Sequence, residues 1–510
     1  AQAVLARASC PSPVARELRR AGNGRVMALP LLRPQLDDAA LRRYTYRVVP
    51  TWSLFGCLLM GPFYGFNVWI IDVLRVFGSR DLWSPFGATV ATAFTLATLS
   101  CGVSSALVGR WVPRIGARRI YFVGTLFSCC AMVLSGVAIE YESLVGLYLS
   151  WGVLYGLSQG CTFIALVTCC MGWFRKHGAA GHGAGWIGFC LGFWPAVFSY
   201  AGPAAVYAVG LARSFQLCAV VLVVIAVWPA LFICMPDEVT CTAPQVASAK
   251  DLQQHADAEN ASRDGNGCSD DSTTASTPTS RADAAPAGSP MAEPMTMRQV
   301  FVRPDFWVRW FQFLLALMPG FGIIYIVSPM MMSIFNASNG LQTTASFVFL
   351  VGYAAARLVS GLVVGPCISA SRFAGGCIAM QTFACAITGA FLLSVPGGGR
   401  GGERGNDVSA WVFVVLIACI GMSLASLKVM IPLLALDIGG PANIGLITGL
   451  MYAGGGLAAV LGPVTSWMAL ASDAGRDSPF AVAAWFGGGA GLTAVAMLLH
   501  LAKPRLARAA

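Results

Sequence analysis

Two basic residues sit inside long apolar runs, where a charge is costly. Arg357 lies between Phe347-Val-Phe-Leu-Val and Leu358-Val, and Lys428 lies seven residues before Ala435 in another such run. A cation at that depth in lipid costs several kcal/mol, on the order of 3 on insertion scales, unless it meets a cavity or a partner. Arginine stays charged in a low dielectric and grips a carboxylate with two parallel hydrogen bonds, so Arg357 suits recognition of an organic anion. Two other readings stay open for it: a long stem snorkelling to the cytoplasmic end of its helix, or a structural pair between helices. For Lys428, roughly 10 Å from that edge at the usual helical rise, a second anion contact or gate residue and simple snorkelling stand level. Catalytic chemistry has no foothold. Of the four histidines, His177 and His182 share one polar stretch, His255 lies in a polar region and His500 ends an apolar run; no H-E-x-x-H occurs. The 17 cysteines, including Cys129–Cys130 and Cys169–Cys170, never fall in C-x-x-C spacing and read as small packing residues, so no metal and no cofactor is expected.

The chain around these residues is lipid-soluble. Of 510 residues, 56% are hydrophobic and 11% charged, against about 25% charged in ordinary soluble proteins. Mean hydropathy is +0.69. Too few charges exist to cover a water-facing surface, which excludes a soluble enzyme, a nucleic-acid-binding protein and a secreted disulfide scaffold. The +10 net charge gathers at the ends of apolar runs, the pattern of cytoplasmic loops.

Windows of about 20 apolar residues can cross a bilayer as helices. They fall at Thr51–Val73, Pro85–Val108, Ile120–Ile139, Leu144–Met171, Ala184–Gly202 and Phe215–Met235, then at Phe306–Met331, Thr344–Val364, Ala374–Val395, Ala410–Ala435, Ile444–Met468 and Pro479–Leu501. The fold class is an all-α integral membrane protein of twelve transmembrane helices in two six-helix halves. The expected divisions are an N-terminal arm, 1–47; a first half, 48–235; a disordered linker, 236–297, rich in Ala, Ser, Thr, Asp and Pro; a second half, 298–502; and a tail, 503–510. Repeated glycine spacing, Gly181, Gly185, Gly188, Gly192 in the fifth span and Gly445, Gly449, Gly454–Gly456 in the eleventh, marks an internal duplication and places both helices in close contact with neighbours. Basic residues before the first span, after the second (Arg110, Arg114, Arg118, Arg119) and after the fourth (Arg175, Lys176) put both termini and the linker on the cytoplasmic side. A plasma membrane is the first expectation. Five arginines against Glu17 alone in 1–26 leave an organellar targeting segment open, as they do a leader ahead of Met27. Asp72 and Arg75, three apart, read as a surface pair, and Asp437 as a solvated loop acid just past the tenth span.

Gly109-Arg-Trp-Val-Pro-Arg-Ile-Gly-Ala-Arg-Arg119 resembles the signature loop of the major facilitator superfamily: Gly109, Arg114, Gly116 and Arg118 fit, while Pro113 stands where that family usually has aspartate. Within it the chain is similar to the oxalate/formate antiporter and monocarboxylate transporter group, through Gly61-Pro-Phe-Tyr64-Gly-Phe-Asn-Val-Trp69, through Trp173-Phe174 and the run from Gly178 to Gly188-Phe-Cys-Leu-Gly192, and through Tyr353-Ala-Ala-Ala-Arg357-Leu-Val-Ser-Gly361. The resemblance implies the major facilitator fold and an alternating-access carrier of small organic anions, of the pyruvate, lactate or formate kind, working as a monomer in the bilayer. Arg357 would grip the carboxylate, with Tyr64, Asn67, Gln159, Tyr325, Tyr353 and Tyr452 around the path and Lys428 as second cation. Tyr353 stands where proton-coupled relatives carry an aspartate, and the eleventh span has no Lys or Arg, so one assured cation favours a monovalent anion. Exchange or facilitated transport is preferred over proton symport. An amino acid or drug-like solute, or a sensor on the same fold, is the alternative.

Overall fold

The computed structural model describes residues 38–77, 85–234, 295–324, 326–395, 407–440, 443–473 and 479–509. Twelve helices in it are long and apolar enough to cross a membrane. The first, α1, is one helical run over 38–76 that widens at Tyr44–Val48 and tightens at Cys57–Leu59. The rest of the first half is α2 (Pro85–Gly109), α3 (Ala117–Glu140), α4 (Leu144–Arg175), α5 (Ala180–Val209) and α6 (Leu211–Phe232). The second half is α7 (Pro304–Ile324, continued after a break by Val327–Phe335), α8 (Asn339–Val363), α9 (Ala370–Ser394), α10 (Asp407–Gly439), α11 (Ile444–Asp473) and α12 (Phe480–Ala509).

Several boundaries differ from the sequence expectation. Residues 38–47 are helical and continuous with the first span. The predicted linker lies outside the described residues except for its last positions. There Thr296 caps a short helix, Met297–Phe301, with Gln299 completing the box, and the Met295 amide donates to Asn443 Oδ1 at 2.6 Å. The tail continues α12 as helix to Ala509. Asp437 stands on α10, which runs on to Gly439, and its carboxylate is 4.0 Å from Arg309 Nη1. The apolar run there carries no stop signal before Gly439-Gly440, so the helix overruns its hydrophobic stretch. The Asp72–Arg75 pair forms as expected, at 2.9 Å.

Each half has its own core. In the first, Tyr155 donates to the Leu59 carbonyl at 2.7 Å, and Trp151 stacks on Tyr155 and Phe66 while meeting Trp69 and Phe215 edge-on. In the second, Gln381 donates to the Ala316 carbonyl and Trp310 to that of Leu450, at 2.8 and 3.1 Å. Lipid offers no hydrogen bonds, so these buried polar tips take their acceptors from inside the bundle.

The halves meet most extensively where α2 packs on α11 and α5 on α8. Glycine makes that possible. A Cβ on Gly445 would lie 2.7 Å from the Gly109 carbonyl, and one on Gly185 would lie 2.5 Å from Gly361 Cα, both closer than backbone can tolerate. These contacts lie at the end of the bundle that carries the basic loops, where the backbones of the two halves touch. Gly445→Leu is therefore expected to lower the melting temperature of purified protein by several degrees, the effect of about 1–3 kcal/mol of overpacking. Gly487→Leu, whose Cβ meets nothing within 4 Å, is expected to leave it within a degree or so of wild type.

Candidate functional site

At mid-bundle, five helices bring together Tyr64 (α1), Phe321 (α7), Tyr353 and Arg357 (α8), Lys428 (α10) and Tyr452 (α11). Helical side chains lean toward the helix N-terminus. In α8 this turns Arg357 away from the nearer, basic-loop end and back over the preceding turn. The residue is 2% exposed, and its guanidinium lies over the Tyr353 ring with the carbon 4.3 Å from the ring centre. One Nη donates to the Tyr353 hydroxyl and the other to the Gly188 carbonyl of α5 at 3.1 Å. The Nε–H is buried without a partner. Gly188 seats the stem: a Cβ there would stand 3.2 Å from Arg357 Cβ and Cδ. The snorkelling geometry is thus not the one adopted.

Lys428 is 3% exposed and eleven residues from the end of α10, about 16 Å at 1.5 Å per residue. Its ammonium donates to the Tyr64 hydroxyl at 3.1 Å and lies 4.1 Å from the Phe321 ring centre, 4.8 Å from that of Tyr64 and 5.9 Å from that of Tyr353. Aromatic faces attract a cation through their quadrupole, which holds the charge without a carboxylate. Arg357 is near enough for the two positive charges to interact. Among the described residues neither cation has an acidic partner, since the ion pairs found are Asp72–Arg75 and Arg309–Asp437. Two basic side chains thus share the apolar interior without an acid between them among the described residues.

The other candidates divide. Tyr452 joins the cluster; its hydroxyl donates to the Lys428 carbonyl at 3.1 Å and its ring meets Phe163 edge-on. Tyr64 joins it too, although Gly61 and Gly65 open no space beside it, because Phe198 and Trp194 of α5 fill that room. Gln159 is fully buried and directed elsewhere, donating to Ser128 of α3 at 3.1 Å. Tyr325 and the Asn67 side chain lie outside the described residues. The signature loop lies at the bundle end: Gly109 packs on Gly445, Gly116 turns the chain at φ 92°, Arg118 donates to the Leu231 carbonyl at the end of α6, and Arg114 is exposed. Phe321 and Gly188 were not singled out as site residues by the sequence reading. Gly188 was visible as one of a glycine series, and nothing distinguishes Phe321 among 29 phenylalanines.

The Arg357–Tyr353 contact has a measurable cost of removal. Tyr353→Phe keeps the ring under the guanidinium but leaves a buried N–H without an acceptor. Thermal unfolding is expected to show a loss of about 1–3 kcal/mol, whereas Tyr207→Phe, at a position 96% exposed, is expected to melt like wild type.

Comparisons with known proteins agree with this architecture. The family model described as Major Facilitator Superfamily matches residues 52–463. A stretch of 142 residues, 28% of the chain, is 25% identical to an Escherichia coli (strain K12) protein described as the uncharacterized MFS-type transporter YhjX, and the match spans 30% of that relative's length. The crystal structure of the human organic anion transporter MFSD10 (TETRAN) has a TM-score of 0.53 to this fold at 16% identity, over 89% of this chain and 99% of that one.

Proposed function

This chain belongs to the major facilitator superfamily and is a multi-pass membrane transporter, and on that premise we propose that its substrates are small organic anions of the monocarboxylate class. The carrying observation is Arg357: a permanently charged group, buried, with a partnerless Nε–H and, among the described residues, no carboxylate beside it. The Nε edge of a guanidinium presents two parallel N–H groups at the spacing of a carboxylate's oxygens. Tyr353 fixes the plane of the guanidinium by stacking and by accepting from it, so little freedom is lost on binding. A carrier of cations would need an acid at this position, and among the described residues none approaches the cluster.

Lys428 narrows the class. Beyond the one cation expected in the path, a second basic group close to the first suits a carboxylate bearing another acceptor oxygen on the neighbouring carbon. A 2-oxo or 2-hydroxy acid such as pyruvate or lactate supplies it, and formate does not. Tyr64, Phe321 and Tyr452 would enclose the small apolar remainder. The human protein of the same fold is described as an organic anion transporter, which accords with this reading, while the residues of this chain carry it. The halves would rock about this site, exposing it to one side and then the other.

Radiolabelled pyruvate uptake into proteoliposomes tests the proposal. Saturable wild-type uptake is expected, competed more strongly by lactate than by formate. Arg357→Lys, which keeps the charge and loses the planar fork, is expected to lower uptake efficiency by roughly ten- to a hundredfold, the loss of one or two charge-assisted hydrogen bonds. Uptake no faster than in protein-free liposomes removes pyruvate, and uptake untouched by Arg357→Lys moves the site away from that residue.

A further inference from the structure

The two halves meet along two seams, α5 against α8 and α2 against α11. Arg357 stands at the first, on the Gly188 carbonyl. Cys101 stands at the second. Its neighbour Gly102 packs so closely on α11 that a Cβ there would lie 3.0 Å from the Tyr452 carbonyl. Lys428 is near enough to interact with both Arg357 and Cys101, and so is Tyr64. The space around Lys428 therefore has an end at α2, and the side chain there is a thiol.

The direction of that thiol follows from the helix. Leu99, Val103 and Leu107 form an exposed apolar stripe on α2, the side turned to lipid. At 3.6 residues per turn, Cys101 points about 160° away from the middle of that stripe. It is partly exposed all the same, as are Tyr64 and Tyr452, so the three side chains border space inside the bundle. Cys101 is a free thiol, hydrogen-bonded to Ser105 one turn on. The independent sign of a ligand in that space is Arg357, which is buried with its Nε–H unpartnered and which, like Cys101, faces Tyr64.

An anion held at the Arg357 end by its carboxylate extends past Lys428 towards α2. We propose that Cys101 is the contact for the end of the substrate opposite its carboxylate, and that a short carboxylate carrying a leaving group at that end alkylates this thiol. The inference rests on the anion site described above and extends it to a helix and a residue that had no part in it. The thiolate is the nucleophile in such a reaction. With 3-bromopyruvate the thiol proton passes to buffer, the sulfur pair forms a bond to the third carbon, and bromide leaves with the electrons of the carbon–bromine bond. No oxidant or reductant enters. Negative charge gathering on sulfur is met by the Lys428 ammonium.

The test compares 3-bromopyruvate with bromoacetone, which carries the same bromoketone and no carboxylate. Purified protein in nanodiscs is treated with each, and mass spectrometry of the digest gives the rate of alkylation at every cysteine. Cys367, exposed on the loop between α8 and α9, is the internal reference. The rate ratio of anion to neutral reagent at Cys101 is expected to exceed that at Cys367 by about tenfold or more, the worth of one charge-assisted hydrogen bond. Propionate, an unreactive carboxylate, is expected to slow labelling of Cys101 and leave Cys367 unchanged. Arg357→Lys is expected to bring the Cys101 ratio down towards that of Cys367; should that variant fail to fold, propionate protection of wild type decides. Cys101 untouched by both reagents, a ratio equal to that at Cys367, or labelling indifferent to propionate overturns the proposal. Preferential, propionate-protected labelling in a protein that takes up no pyruvate upholds this contact and removes pyruvate as cargo. Pyruvate uptake with an ordinary ratio at Cys101 does the reverse.

Discussion

A guanidinium carried into the apolar middle of a membrane protein must be given acceptors, and the packing between the halves follows from how this chain supplies them. The tyrosine one turn earlier on the same helix provides one acceptor and a flat surface. The other is a backbone carbonyl of the opposite half. To use a helix carbonyl, the arginine stem must lie along the backbone of that helix, which requires a residue without a Cβ at Gly188. Once α5 and α8 come this close at Arg357, the positions one turn either side must also be small. Gly185 then faces Gly361, and Gly192 faces Ala354. The glycine spacing that brings the helices together and the chemistry of the arginine are two aspects of one contact.

Lys428 is accommodated by different means. Its charge is compact and strongly hydrated, so losing water costs it more than it costs arginine. The compensation comes from ring faces contributed by three helices and one phenol hydroxyl, with no formal negative charge. Such a setting leaves the positive potential of the site intact, which an ion pair would cancel. Burying two basic groups with no acid beside them among the described residues costs stability that an apolar pair would not.

Basic residues nearer the ends of the bundle do structural work of another kind. Arg118 donates to the Leu231 carbonyl near the end of α6, Arg303 to the Ile438 carbonyl at the end of α10, and Arg309 to the Leu434 carbonyl one turn earlier. The last turn of a helix leaves carbonyls without amide partners and carries partial negative charge. Cations there satisfy both needs. Arg118, one of the residues on which the expected orientation rests, therefore also finishes a helix, and Asp437 joins the end of α10 through Arg309.

The sequence alone determined the parts that depend on averages along the chain. Hydropathy over about 20 residues located all twelve crossings, because a membrane forces every backbone group to bond within its own helix. Glycine spacing marked α5 and α11 as close-packed, Asp72 and Arg75 were paired by helical geometry, and Arg357 stood out because a deep cation is rare. What only the tertiary structure decided is direction around each helix axis. Helices that are apolar nearly all round have no polar face to read, so nothing local showed that Lys428 turns inward to Tyr64 and Phe321, that Gln159 turns to Ser128, or that Phe198 and Trp194 fill the space beside Gly61. Those orientations are set by which neighbour supplies an acceptor or leaves a gap, and the neighbours lie more than a hundred residues away in several cases. The chain's own text says that a cation must be satisfied; the packing of the two halves says by what.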